Sequence, residues 1–328
     1  MRSPRIKVAP DESEAVYHCM SRSVNKERLF DHPALEVMRR QLWQMVDFCG
    51  VRVVTYALLS NHFHVLVRVP KRAPISDAEL LRRYRVLYPH PTRYQMARLT
   101  TIEHWLATGA PEGEAWRQRM HKLMGDVSPF MKLFKQRFSI WFNKSHHRVG
   151  TLWSERFKSV LVEGDCGLLR IMSSYIDLNC VRADIASDPK DYRFCGYAEA
   201  VSGNEHLREG LGSVCGEETW EKIHSAYRKI LFGAAMTPRA YRASISPEDF
   251  QEVVAQGGKL PLPEVLRCRV RYFTDGVVLG SQAFVQTYLA LCRGDAGKLR
   301  SRLPFPIPPL TDWGQWSMLR SLRGPAWG

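Results

Sequence analysis

Two consecutive apolar segments with one short break between them constrain the fold of this chain more than any other feature. VRVVTYALLS (51–60) and HFHVLVRVP (62–70) are rich in β-branched and aromatic residues, and Ser60-Asn61 separates them. The pattern predicts two neighbouring strands joined by a tight turn, and Pro70 marks the end of the second strand. A sheet is therefore expected to be built around residues 51–70.

The segments on either side of these strands alternate between strand and helix. AVYHCMSRSV (15–24) and RFKSVLVE (156–163) have the alternation of strands, whereas 32–50 and 127–147 have helical periodicity. Asp165 can cap a further helix over CGLLRIMSSYIDLNCVRAD. The order β-α-β-β-α-β-α predicts an α+β fold, in which an antiparallel sheet has its helices packed on one face.

The remaining segments predict an insertion and a mainly helical C-terminal region. Residues 71–125 are polar and helix-prone, with turn signals at several prolines and glycines. From 204 onward the pattern changes to short helices, so we divide the chain into domains at 1–203 and 204–328. Residues 266–293 predict two helices around a glycine-containing turn, with Ser281 as a cap, either as a helix-turn-helix or as an ordinary helical hairpin.

Charge indicates the kind of partner that this chain binds. The 328 residues carry a net charge of +14, with a pI near 9.6. Residues 127–154 hold five Lys or Arg and no acid, and residues 265–328 hold nine against three acids. The intervening residues 204–264 hold seven bases and nine acids. Such a distribution favours nucleic acid as the partner, although an unspecialised basic surface is an alternative.

Several classes of protein are disfavoured by composition. No run of eighteen apolar residues exists, so no membrane span or membrane partner is expected. The N-terminal segment is polar and does not resemble a secretory signal. The eight cysteines include no CxxC pair and have irregular spacing, which argues against a zinc ribbon or a disulfide framework. These features favour a reducing cytoplasm.

Two histidines stand two positions apart in the second strand of the predicted hairpin. Because side chains alternate along a strand, His62 and His64 share one face with Leu66 and Arg68. Two neutral imidazoles side by side make half of a metal site, which oxygen ligands can complete. The alternative is that both histidines only form hydrogen bonds to neighbours on a half-buried sheet.

A tyrosine and an asparagine lie one helical turn apart in SSYIDLNCVRAD (173–184). Tyr175 and Asn179 therefore face the same way on a helix, whereas Asp177 points elsewhere and is a weaker candidate ligand. If this helix lies across the sheet face that holds the two histidines, Asn179 can supply an oxygen ligand and Tyr175 its phenolic oxygen. The alternative is that Tyr175 only packs in the core or on the surface.

Four segments of the chain resemble, in order, the single-tyrosine HUH transposases and more narrowly the REP-associated tyrosine transposases. They are YHCMSRSVNKERLF (17–30), YALLSNHFHVLVRVP (56–70), RVGTLWSERFKSVLV (148–162) and YIDLNCVRADI (175–185), and the resemblance spans about residues 15–200. This resemblance implies a ferredoxin-like sheet. It also implies that His62 and His64 bind Mg²⁺ or Mn²⁺, that Asn179 is a third ligand and that Tyr175 is the nucleophile.

The implied activity is transposition chemistry on single-stranded or hairpin DNA. The enzyme would nick DNA and transfer the strand through a covalent 5′-phosphotyrosine intermediate, with a domain at 1–203 for catalysis and 204–328 as an accessory, DNA-binding region. A monomer or a homodimer is expected, and Tyr175 can serve its own histidines or those of a partner. The alternatives are a domesticated hairpin-binding regulator without nuclease activity and a replication initiator, which the absence of a helicase-like segment disfavours.

This chain departs from the family pattern at two positions and in one insertion. Ser60 stands where family members often have proline, and Asn179-Cys180 replaces Asn-Pro, so the helix can continue toward Arg182. The insertion at 71–125 is longer than in compact members. Basic side chains that can follow a phosphate backbone are Lys132, Lys135, Arg137, Lys144, Arg148, Arg156, Lys158, Arg267, Arg269 and Arg271.

Overall fold

The computed structural model describes residues 6–9, 12–88, 92–234, 252, 260–267, 270–295, 304–307, 311 and 314–320. Within these ranges the strands are β1 (Ala15–Arg22), β2 (Arg52–Leu58), β3 (His62–Val69), β4 (Lys158–Val162), β5 (Gly276–Gly280), β6 (Phe305–Pro306) and β7 (Ser317–Arg320). The helices of the same ranges are α1 (His32–Cys49), α2 (Asp77–Val86), α3 (Arg93–Thr108), α4 (Pro111–His121), α5 (Val127–Ser145), α6 (Cys166–Asp177), α7 (Asn179–Arg182), α8 (Gly196–Val201), α9 (Glu205–Cys215), α10 (Trp220–Phe232), α11 (Leu262–Arg267), α12 (Tyr272–Asp275) and α13 (Gln282–Asp295).

The described strands form one mostly antiparallel sheet in the order β2-β3-β1-β4-β5-β7-β6. The first four strands and the helices α1 and α5 have the βαββαβ order and the strand arrangement of a ferredoxin-like fold, so the predicted fold class is confirmed. β1 lies in the middle and pairs antiparallel with both β3 and β4. The C-terminal β5 then pairs parallel with β4, through Leu161 opposite Val278.

One face of the sheet is covered by α1 and α5. Phe63 of β3 lies on this face, and its ring centre is 5.2 Å from that of Phe134 in α5. Tyr56 of β2 pairs with Val65 and therefore shares the face, where its ring contacts Trp43 of α1. The two helices of the βαββαβ unit thus pack on one side, as the order of elements predicts.

The opposite face is covered by α6, the helix that carries Tyr175. Thr55 pairs with Leu66 and so faces the same side as His64. Its hydroxyl donates a hydrogen bond of 2.7 Å to the Asp177 carboxylate at the end of α6. The tyrosine helix therefore docks on the face of the sheet that holds the two histidines.

Local sequence signals set the ends of the helices that matter here. Asp31 accepts a hydrogen bond from the Ala34 backbone and starts α1, and Gly50 ends it with a φ of 65°. Asp165 accepts from the backbone N–H groups at the start of α6, which confirms the predicted cap. At Leu178, with a ψ of 1°, the chain leaves helical geometry before α7 continues to Arg182.

The insertion and the C-terminal region match their predicted character with one correction. Residues 71–125 contain the helices α2, α3 and α4, and several helices follow residue 204. Ser281 caps α13, as predicted, through its bond from the Phe284 backbone N–H. However, 276–280 form strand β5 rather than a turn, because they pair with β4 and β7. Both alternatives for this segment, the helix-turn-helix and the ordinary helical hairpin, are therefore wrong.

No helix in the described part of the chain has both the length and the apolar composition needed to cross a bilayer. The division at residue 203 stays a prediction. Strands β5, β6 and β7 of the C-terminal region extend the sheet of the N-terminal region, so the two regions share one layer of structure.

Candidate metal and tyrosine site

His62 and His64 lie side by side on one face of β3, as the alternation of the strand predicts. Their ring centres are 5.2 Å apart, and the rings are nearly perpendicular. His64 is 6% exposed, whereas His62, at the start of the strand, is partly exposed. One imidazole is thus held in the interior and the other lies at the surface end of the pair.

The hydrogen bond made by His62 defines which ring nitrogen carries the proton. Asn61 donates from its Nδ2 to the Lys26 carbonyl, at 3.0 Å, so its Oδ1 faces the imidazole. His62 Nδ1 lies 2.6 Å from that oxygen and must act as the donor. In the neutral ring, Nε2 is then the nitrogen with the lone pair that a cation requires.

His64 contacts a third histidine, His18 of β1, which carried no role in the sequence analysis. His18 Nε2 lies 2.9 Å from His64 Nδ1, and the two rings are stacked. Burial lowers the pKa of His64 well below its usual value, and any proton taken up by the neighbouring His18 would lower it further. Burial likewise lowers the pKa of His18 to about 4. Both rings are therefore neutral at pH 7, which is the state that binds metal ions.

Tyr175 lies on α6 in a buried cluster that adjoins these histidines. Its side chain is 2% exposed and contacts the Phe273 ring edge-on, at 5.0 Å between centres. The Arg182 guanidinium lies 4.0 Å from the centre of the tyrosine ring. The Phe273 carbonyl accepts a hydrogen bond from His18 at 2.8 Å. Phe273 thus contacts both the tyrosine and the histidine group.

Asn179, the predicted oxygen ligand, makes its described contacts with its own helix. Its Nδ2 lies 3.1 Å from the Ile176 carbonyl and 3.3 Å from the Tyr175 carbonyl, across the break at Leu178. These bonds engage the amide nitrogen and leave the oxygen as the atom suited to a hard cation. The structure brings Asn179 next to Tyr175, but the contacts of its amide are not to the histidines.

Asp177 points away from Tyr175, as the helical spacing predicts. Its carboxylate accepts hydrogen bonds from Thr55 at 2.7 Å, from Tyr227 at 2.5 Å and from the Tyr197 backbone at 3.3 Å. Burial raises the pKa of Asp177 to about 7, against the opposing effect of these donors. Asp177 therefore anchors α6 to the sheet and to α10.

Some of the basic residues proposed for DNA contact are exposed, whereas others form hydrogen bonds within the protein. Lys132, Lys144 and Arg156 are exposed. Lys135 donates to the Glu155 carbonyl and lies over the Trp153 ring, and Arg137 donates to the Leu87 carbonyl. The exposed group is the one best placed to meet a phosphate backbone.

The other basic residues proposed for this role lie near acids or are half-buried. Arg148 is 4.0 Å from Glu27, and Lys158 at the start of β4 is 3.5 Å from Asp275. Arg267 and Arg271 are partly buried, and Arg269 lies outside the described residues. The nine described residues of the predicted DNA-binding set therefore differ in exposure and in their contacts.

A metal site of the carboxylate-rich or cysteine-rich kind is absent from the described part of the chain, where no group of three or more His, Cys, Asp or Glu side chains is arranged to hold an ion. The Nδ1 atoms of His62 and His64 are both engaged in hydrogen bonds, so Nε2 is the atom through which either ring would bind a divalent cation. The site would still need an oxygen donor, and the described hydrogen bonds of Asn179, which was predicted for this role, are with its own helix.

Sequence reasoning missed His18, Arg182 and Phe273. His18 lies in β1, where residues 15–21 are all buried, and its contact with His64 depends on a strand register that the sequence does not display. Arg182 lies one turn beyond Asn179 and was considered only as a helix end. Phe273 comes from a segment almost one hundred residues away from Tyr175.

Comparison with known proteins adds little to the assignment of a function to this site. No family model matches the chain, and no curated protein matches it. Among solved structures, a REP-associated tyrosine transposase bound to a REP hairpin aligns with a TM-score of 0.36 and 11% identity, over 62% of this chain and 87% of that chain. At this level of similarity the function must be argued from the residues of this chain.

Proposed function

We propose that this protein is a metal-dependent enzyme that nicks single-stranded DNA and transfers the cut strand, with Tyr175 as its nucleophile. The observation that carries the proposal is the docking of α6 on the histidine face, with Tyr175 and His18 both in contact with Phe273. The four motifs that resemble the single-tyrosine HUH transposases assign the same residues. Short hairpins such as REP elements are the proposed substrate.

In this proposal, His62 and His64 hold Mg²⁺ or Mn²⁺ through their Nε2 atoms, with Asn179 as the oxygen ligand. When bound, such an ion neutralises charge on the scissile phosphate and orients it. A positively charged Arg182 near the tyrosine ring stabilises the negative charge that develops on the phenolic oxygen. The chain thus provides both a nucleophile and the charge that its reaction requires.

The chemical step forms one bond to phosphorus and breaks another. The Tyr175 oxygen attacks the phosphorus and gives up its proton to solvent, while the bond from phosphorus to the 3′ oxygen breaks. The leaving strand takes up a proton and ends in a 3′-hydroxyl, and the other strand stays attached through a 5′-phosphotyrosine. Attack by a different 3′-hydroxyl on this phosphotyrosine restores the phenol and completes strand transfer.

Exposed basic residues are proposed to bind the DNA backbone, two of them on α5, which packs on the sheet face opposite the histidines. Lys132 and Lys144 are exposed on α5, and Arg156 is exposed just before β4. Because Tyr175 is 2% exposed, DNA can reach its oxygen only after a local opening of the structure that buries it. Binding of the hairpin must therefore supply the free energy for that local opening.

The burial of Tyr175 also favours a second candidate function. A protein that binds and bridges hairpins without cutting them does not need an accessible phenol, and both histidines have hydrogen-bond partners that suffice for a structural role. Retention of the complete set of His62, His64, Tyr175 and Asn179 argues for the enzyme. The two functions differ in a single observable product, the covalent adduct.

A denaturing gel of the protein mixed with labelled hairpin DNA and Mn²⁺ tests the proposal. The enzyme should give a slowly migrating adduct that disappears in the Tyr175→Phe variant and with chelator. Tyr94→Phe, which changes an 84% exposed tyrosine, is the matched control and should keep the adduct. Specific binding without any adduct in the wild-type protein would establish the regulator instead.

A further inference from the structure

His18 is a polar residue in direct contact with the proposed metal ligand His64, and the proposed reaction does not use it. It is fully buried in the middle strand of the sheet, two positions before Met20, which lies directly opposite His64. His18 and His64 are therefore diagonal neighbours on one face. Burying two imidazoles here carries a cost unless each ring nitrogen that needs a partner has one.

The contacts of His18 fix the direction of a chain of hydrogen bonds. A backbone carbonyl can only accept, so His18 Nδ1, 2.8 Å from the Phe273 oxygen, carries the proton. A neutral His18 then has its lone pair on Nε2, which lies 2.9 Å from His64 Nδ1. His64 must donate from Nδ1 to this lone pair, and its own lone pair is left on Nε2.

We propose that His18 is a positioning residue, which acts with the Phe273 carbonyl to hold His64 in the tautomer whose Nε2 can bind a cation. The inference rests on the proposed function for its metal, but the tautomer itself is a property of the metal-free chain. Partners of this kind orient metal-binding imidazoles and commonly change metal affinity by about 10- to 100-fold. In the same arrangement Phe273, in the C-terminal region, acts on the metal site indirectly, because its carbonyl fixes the proton of His18.

A simple packing role for His18 makes a different prediction. Two stacked, buried imidazoles joined by one hydrogen bond are satisfied with the shared proton on either ring, so packing alone sets no tautomer. The carbonyl of Phe273 removes this freedom, because it can pair only with a protonated Nδ1 of His18. The protonated nitrogen of His64 therefore distinguishes a positioning role from packing.

The variants His18→Gln and His18→Phe separate these roles. Glutamine can place an amide oxygen near the position of His18 Nε2 and accept from His64, whereas phenylalanine fills similar space without an acceptor. Tyr17→Phe is the matched control, because it removes one partly buried hydrogen bond on the same strand, the one donated by the Val8 backbone, and Tyr17 lies on the other face of the strand from His18. Each protein is first checked for cooperative unfolding.

Two measurements on these proteins decide whether His18 positions His64 or only packs against it. Long-range ¹H–¹⁵N NMR of the metal-free wild type should show His64 protonated at Nδ1, and His18→Gln should retain this tautomer. Titration with Mn²⁺ should show binding about 10- to 100-fold weaker in His18→Phe, with a smaller loss in His18→Gln and none in the control. An Nε2-protonated His64 in the wild type, or unchanged Mn²⁺ affinity in a folded His18→Phe, would overturn the proposal.

Failure of this inference and failure of the proposed function give different results. A wild type that binds Mn²⁺ and forms the adduct but has the wrong His64 tautomer contradicts the role of His18 alone. A wild type that binds no Mn²⁺ contradicts the proposed function, and with it any role of His18 at a metal. If His18→Phe does not fold, the comparison of the wild type with His18→Gln by NMR still gives the decisive tautomer.

Discussion

Asp177 ties the tyrosine helix to the sheet, and replacing it with asparagine should change how the stability of this protein depends on pH. Its carboxyl is fully buried, and burial raises its pKa to about 7 from an ordinary value of 3.8. In Asp177→Asn, the amide oxygen can still accept from Thr55 and from the Tyr197 backbone. The amide nitrogen can donate to the Tyr227 oxygen, so the geometry of the clamp is retained.

The sign of the effect follows from where the proton is bound. Between pH 3.8 and pH 7 the folded protein holds a proton on Asp177 that the unfolded chain has lost, so this carboxyl makes the free energy of unfolding fall as pH rises. One bound proton corresponds to about 1.4 kcal/mol per pH unit. Asp177 should therefore cost the wild type about 3 kcal/mol of stability between pH 4.5 and pH 8 relative to the variant.

Urea unfolding of both proteins at intervals from pH 4.5 to pH 8 measures this difference. Subtracting the two curves removes the contribution of other groups, including His18, whose lowered pKa acts in the opposite sense as pH falls. Asp191→Asn, at an exposed carboxyl near the same clamp, is the control and should give a flat difference. A flat difference for Asp177→Asn would show that this carboxyl is ionised throughout, contrary to the reasoning.

Three further predictions concern the core, the DNA surface and the metal ligands. Phe63→Ala removes a fully buried ring and should lower the free energy of unfolding by about 3–5 kcal/mol in urea; a loss below about 1 kcal/mol would contradict the assigned packing. Lys132→Ala and Lys144→Ala should each reduce the slope of log affinity against log salt by about 0.7 in single-strand binding titrations, whereas an unchanged slope would remove that residue from the DNA surface. The double variant His62→Ala with His64→Ala should lose Mn²⁺-stimulated nicking in a gel assay, and undiminished wild-type nicking in chelator would refute the metal role.

Local sequence patterns were enough to predict the core of the fold. The alternation of residues 51–70 and the capping signals at Asp165 and Gly50 depend on nearest neighbours along the chain, so strands and helices could be placed within a few residues. The same alternation put His62 and His64 on one face. These features needed no knowledge of distant contacts.

Features that depend on distant contacts could not be predicted. Residues 276–280 have an apolar pattern that is compatible with a turn between helices, and they form a strand because β4 and β7 offer unpaired backbone groups. His18 meets His64 only through the register of β1 against β3.

Mass spectrometry of the covalent adduct tests the central assignment most directly. Trypsin releases residues 171–182 as one peptide, IMSSYIDLNCVR, in which Tyr175 is the single tyrosine. After reaction with hairpin DNA and Mn²⁺, followed by nuclease digestion, this peptide should carry a nucleotide on Tyr175 through a phosphodiester. A nucleotide attached to another tyrosine-containing peptide, or complete cleavage of the DNA with this peptide unmodified at every time point, would contradict the assignment of Tyr175 as the nucleophile.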